Sequence, residues 1–255
     1  VYPLDEEFRP SFWLWPNLLS LDAAFIAVVW QHFLSETIAP IHPANTVILG
    51  LSVWLVYTAD RLVDTHSARP MAESPRHQFA RAYRRPLLGA AAVVLLVDIV
   101  LAVVFLPVVH FVAGMLLVGA VAARFYGVLR GAEGSWSKEF WTALIFAAGV
   151  WTPILLSNPL RPGAILFALL CWWNCLAIDT WESPRSSRPL LATSLILAAA
   201  AFGYFAWTHR PVALAEALSA AGFCVLAAQG KKLSQNFLRV AVDFCLLSPL
   251  LVHAH

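Results

Sequence analysis

Long apolar runs, separated by short polar breaks, dominate the chain. Nine of them approach the ~20 residues needed to cross a bilayer. They predict spans at roughly 17–38, 43–62, 87–106, 108–128, 139–157, 163–181, 189–208, 211–229 and 236–254. Proline marks several of the breaks, at Pro40, Pro43, Pro107, Pro159, Pro162, Pro184, Pro189 and Pro211. The one long connection is expected at 65–86, after the second span. Because the runs are continuous rather than alternating, they predict helices and exclude an outer-membrane barrel. The pattern predicts an all-α polytopic membrane protein, with residues 1–255 forming a single membrane domain.

Composition agrees. Hydrophobic residues make up 60% of the 255 and charged residues only 13%, about half the usual share in soluble proteins. Net charge is +2, and no basic tract interleaved with aromatics points to nucleic acid. The distribution of charge says more. With nine spans, fifteen of the seventeen Lys and Arg fall on one side, leaving only Arg161 and Arg210 on the other. The positive-inside rule then predicts a cytoplasmic N-terminus and an external C-terminus. The opening residues VYPLDEEFRPSFWLWP are acidic and proline-rich and do not read as a cleavable signal peptide. The four cysteines (Cys171, Cys175, Cys224, Cys245) lie inside apolar runs and read as core thiols.

Candidate chemistry concentrates at 54–69, WLVYTADRLVDTHSAR. Asp60 and Asp64, spaced i, i+4, share one face at the end of an apolar helix. Such acids are costly unless an ion or a cationic partner meets them. Oxygen ligands on one face suit Mg²⁺; the simpler alternative is a solvated helix end, paired with Arg61 or Arg69. Four spans later a second pair, Asp179 and Glu182 at i, i+3, ends the sixth span on the same predicted side. Two acid pairs opening toward one basic face would hold metal ions with a diphosphate between them. Arg61, Arg69, Arg124, Arg130 and Lys138 are candidate diphosphate ligands, although setting topology also explains basic residues. Asn174 is placed to support the second pair, or to bond a neighbouring helix. Lys231 and Lys232 fit topology or anionic-lipid contacts.

Eleven tryptophans are many for this length. Trp54, Trp151, Trp172, Trp173 and Trp181 are candidates to line a cavity, with plain packing the simpler expectation. Asp22, Asp98 and Asp243 are isolated intramembrane acids and each is a functional candidate by default, Asp98 without an evident partner. The scattered histidines have no metal-ligand spacing.

The segment YTADRLVDTHSAR resembles the first acidic motif of UbiA-type intramembrane prenyltransferases, through Asp60, Arg61, Asp64 and Arg69. Tyr126 and Arg130 resemble the family's Tyr-x-x-x-Lys element, with Arg in place of Lys. Lys138 also fits, and Asp179 and Glu182 occupy the place of the second acidic motif. The chain departs from the pattern at Val56, where Asn is common, and at Ser183, where the second motif commonly ends in Asp. The resemblance implies nine transmembrane helices around a central cavity and a cytoplasmic N-terminus. Mg²⁺ on Asp60, Asp64, Asp179 and Glu182 would grip the diphosphate of an isoprenyl donor. Arg61, Arg69, Arg124, Tyr126, Arg130, Lys138 and Asn174 would bind substrate. A lipophilic acceptor would then attack the allylic cation, at the cytoplasmic face of a bacterial membrane. Terpene cyclisation without an acceptor is the alternative within the superfamily. Outside it, a transporter or lipid-binding membrane protein would use the acids for ions or head groups; charge gathered at one face argues against a transporter.

Overall fold

A computed structural model describes residues 12–64, 75–129, 135–157, 162–182 and 189–252. Every regular element among them is helical. In chain order these are α1 (Trp15–Leu18), α2 (Leu21–Thr37), α3 (Pro43–Asp64), α4 (Pro75–Ala82), α5 (Arg84–Phe105), α6 (Val108–Leu129), α7 (Ser135–Ser157), α8 (Pro162–Glu182), α9 (Leu190–Thr208), α10 (Pro211–Gln229) and α11 (Gln235–Cys245), with 3₁₀ turns at Phe12–Leu14, Gly230–Lys232 and Ser248–Leu251. Seven of the helices, α3 and α5 to α10, are long and apolar enough to cross a bilayer, which makes this an all-α membrane fold.

The first and last predicted spans take a different form. The chain bends by 77° between the segment Phe12–Leu18 and α2, so the two count as one crossing only if a broken span is allowed. Ser20 makes the corner in the left-handed region, at φ 59°. At the other end α11 has eleven residues, about 16 Å of helix. That is shorter than the ~30 Å hydrocarbon layer. Leu246 and Leu247 turn out of the helix, and Pro249, which lacks an N–H, leads the 3₁₀ turn. Ser248 secures that turn by donating to the Ala215 carbonyl of α10 at 2.7 Å.

The connection after α3 also holds an element the apolar pattern does not predict. The short helix α4 buries Phe79 and Ala80. Phe79 meets Trp15 of α1 edge-on, ring centroids 5.9 Å apart. A single buried face on an otherwise polar eight-residue helix escapes a search for continuous apolar runs.

The core lies where α2, α7, α8, α10 and α11 meet. Trp30, Leu34, Val150, Phe167, Leu170 and Phe223 are fully buried there. Trp30 packs on Phe167 with centroids 4.6 Å apart and the rings tilted by 49°, and its indole N–H donates to the Leu246 carbonyl at 2.6 Å. That contact ties α2 to the end of α11. By contrast α5 and α6 turn nearly their whole surface outward, each packed on one main neighbour, α3 and α7 respectively. Exposed apolar side chains along both are what a lipid-facing flank requires.

Candidate active site: a polar cavity at one end of the bundle

Where α3 and α8 end, the bundle encloses a cavity of about 260 Å³. Six carboxylates line it: Asp22, Asp60, Glu139, Asp179, Glu182 and Asp243. So do four cations, Arg61, Arg124, Lys138 and Arg239, along with Asn17, Tyr57 and Asn174. The helix ends carrying the two acid pairs therefore open into one space. Among the described residues no three His, Cys, Asp or Glu side chains already converge on one point; the acids are spread around the wall.

Most of these side chains are held by neighbours. Arg124 reaches from α6 to the Asp60 carboxylate at 3.1 Å, and its Nε donates to the Thr142 hydroxyl of α7 at 3.0 Å. Thr142 in turn donates to the Lys138 carbonyl at 2.8 Å. The guanidinium is buried while Asp60 is one third exposed, so a screened, oriented ion pair stands at the cavity edge. Glu182 makes an ion pair with Arg239 of α11. Gln235, one turn earlier on that helix, donates to the Trp181 carbonyl at 2.9 Å.

Arg61 faces the cavity but its Nη1 is engaged. It donates to the Asn17 carbonyl and, at 3.0 Å, to the Leu18 carbonyl. Trp54 donates to Leu19 O at 2.9 Å. The bend after α1 takes the Leu18 and Leu19 carbonyls out of the helical ladder, and α3 supplies their donors, while the Asn17 carbonyl also accepts the Ser20 N–H at 3.2 Å. Asn17 then donates to Asp22 at 2.6 Å, and Asp22 also accepts the Ala23 N–H at 2.9 Å. On the other side Asn174 donates to Asp243 at 2.9 Å.

Of the residues expected from the sequence, Asp60, Arg61, Arg124, Lys138, Asn174, Asp179 and Glu182 come together on this wall. Tyr126 does not: it is 60% exposed and off the cavity. It stands two residues beyond Arg124, and i, i+2 positions face away from each other on a helix. Asp64 ends α3 one turn past Asp60; its side chain, like Arg69 and Arg130, lies outside the described residues. None of the five tryptophans considered for the cavity lines it; Trp151 and Trp173 are packed into the core and Trp54 meets the bend. Asp98 is far from this site and accepts from Ser52 of α3 at 2.7 Å.

Two contributors were hidden in the sequence: Arg239 counted only among the bases that set topology, and Glu139 gave no signal beyond its place beside Lys138. Asp22 and Asp243 were candidates as isolated acids, with nothing to tie them to this wall. Only the i, i+4 spacing of Arg239 and Asp243, on the polar face of α11, was available as a hint. Cys171 and Cys175, also at i, i+4, are free thiols on the wall. Searches of the whole chain against protein-family models, curated proteins and solved structures return no match.

Proposed function

We propose that the chain ionises an isoprenyl diphosphate at the cytoplasmic end of a membrane-embedded bundle and passes the prenyl group to a lipophilic acceptor, in the manner of UbiA-type enzymes. The observation that carries this reading is the single cavity that Asp60 of α3 shares with Asp179 and Glu182 of α8.

Six carboxylates against four cations leave the described wall with two negative charges in surplus. Such a surplus of hard oxygen donors fits Mg²⁺, which combines a few carboxylates with substrate phosphate oxygens. Asp60, Asp179 and Glu182, with Asp64 at the end of α3, would hold the ions. When bound, Mg²⁺ supplies positive charge for the departing diphosphate. The side chains of the wall do the rest. Arg124, fixed by Asp60 and Thr142, presents a guanidinium that needs no reorganisation as charge develops. Lys138 adds a point charge from α7. Arg239 orients Glu182. The apolar part of the wall, Ile26, Ala143, Phe146 and Leu246, shields the allylic cation from bulk water.

Nine crossings with a cytoplasmic N-terminus belong to the same proposal. The charge asymmetry supports them, with the bent first segment and the broken α11 region as the outermost crossings. The test is release of diphosphate from geranylgeranyl diphosphate by the full chain in lipid nanodiscs. Release should require Mg²⁺ and stop with a chelator. Asp60→Asn and Asp179→Asn should each lower it by about a hundredfold or more. Wild-type rates in both variants would sink the reading.

A further inference from the structure

The cavity has two levels. Asp60, Asp179 and the Glu182–Arg239 pair stand nearest the helix ends. Tyr57, Asn174 and Asp243 lie three to five residues further along the same three helices, which is about 4–8 Å deeper. Asp22, held by Asn17, completes the deeper wall. Arg61 reaches it from α3, its Nη1 on the Asn17 and Leu18 carbonyls, so this level holds two carboxylates and one guanidinium.

An isoprenyl diphosphate does not satisfy this deeper level. Its head offers only acceptors and its tail offers neither donors nor acceptors. Two carboxylates, Asp22 and Asp243, repel the first and exclude the second. Asn174 states the requirement more sharply. Its amide nitrogen is committed to Asp243, which fixes the orientation of the side chain. Its carbonyl oxygen Oδ1 has no partner among the described residues, and the residue is only 7% exposed. A buried acceptor of this kind calls for an N–H or O–H donor.

Resting on the prenyl-diphosphate reading above, we propose that the deeper level is the acceptor subsite. It takes a neutral or cationic protic head group, a hydroxyl or an amine, and excludes acceptors carrying a carboxylate. Asn174 Oδ1 receives a hydrogen bond from that head group, and Asp243 receives its proton. The donor's allylic C–O bond breaks with its electron pair leaving on the diphosphate. A hydroxyl acceptor forms the new bond to carbon through an oxygen lone pair as its proton passes to the Asp243 carboxylate. An ammonium acceptor gives its proton to Asp243 first, and the nitrogen lone pair so freed forms the bond. Asp22 and Asp243 against Arg61 leave this level one negative charge in surplus, which sets the selection by charge.

The experiment uses the full chain in lipid nanodiscs with Mg²⁺ and geranylgeranyl diphosphate, offered 1-decanol, decylamine or decanoate as probe acceptors. A geranylgeranyl thiolodiphosphate, which resists ionisation, measures donor binding separately. Prenyl decyl ether or prenyl decylamine should form, with decanoate giving little or no ester. Asp243→Asn should lower transfer by about a hundredfold, the usual scale for a lost general base, with binding of the analogue retained. Asn174→Ala should weaken saturation by decanol more than it lowers the limiting rate. The proposal is overturned by a cyclic product or prenyl alcohol regardless of the probe, by decanoate ester at the decanol rate, by analogue binding without transfer to either decanol or decylamine, or by wild-type transfer in Asp243→Asn. If the analogue does not bind and no diphosphate is released in any arm, it is the prenyl-diphosphate reading that fails.

Discussion

At the scale of single residues, the cavity differs from its surroundings because its charges are held rather than merely present. Arg124 stands between Asp60 and Thr142. Replacing it with methionine keeps the bulk, removes the donors, and leaves Thr142 and Asp60 to find water. We expect diphosphate release to fall by about a hundredfold, with only a small fall in the thermal unfolding midpoint, because Asp60 is partly exposed. Glu216 shows the opposite situation. It is fully buried in α10 and neither carboxylate oxygen has a hydrogen-bond partner among the described residues. Gly163 of α8 approaches so closely that a methyl group there would lie 3.3 Å from Oε1. Burying such a group without partners is unfavourable, so Glu216→Met should raise the unfolding midpoint in detergent. A lowered midpoint would show that Glu216 has a partner the described residues lack.

At the scale of elements, α11 links packing to chemistry. Its polar face sends Arg239 and Asp243 into the cavity, while Phe237, Val240 and Phe244 face outward beside α10. Its position is set by Gly222 of α10, where an added Cβ would lie 2.6 Å from Cys245 Sγ. Gly222→Ala should therefore push α11 outward, lowering both the unfolding midpoint and diphosphate release. Adding Cys245→Ala removes the sulfur, leaves a 3.2 Å approach to Cβ, and should restore most of both. Gly89→Ala, with open space around it, is the neutral control. This helix also marks a limit of the sequence reading. A continuous apolar run was expected at 236–254, and hydropathy does not distinguish one long span from a short amphipathic helix followed by a turn. Seven spans were legible because their runs are long and unbroken. Helix α4 was not, because one buried face around Phe79 produces no run.

At the scale of the whole molecule, the predicted charge asymmetry and the observed cavity are separate lines pointing to one end of the bundle. Both acid pairs were legible as local spacings, and so was their common side. Their pairing partners were not. Arg124 and Asp60, Glu182 and Arg239, and Asn174 and Asp243 meet only through the packing of α3, α6, α8 and α11. No periodicity within one helix reports which face of another it will meet. Tyr126 shows the converse: a motif match in sequence put it at the site, and helix geometry turns it away. If the topology is as proposed, a protease site inserted at 65–74 is cut in inverted vesicles and protected in right-side-out ones. The reverse pattern would place the cavity on the outside.

The bend between α1 and α2 has a consequence for anyone moving this site to another scaffold. Arg61 sits next to Asp60 in the chain, so the acidic motif carries its own potential counter-ion. Here the Arg61 Nη1 donates to the carbonyls of Asn17 and Leu18 at the bend. Grafted onto a helix whose neighbour runs straight, the same residues would lose those two acceptors, and the Arg61 side chain would lose what orients it. The motif is thus not portable alone. The unit to transplant is α3 together with its bent partner.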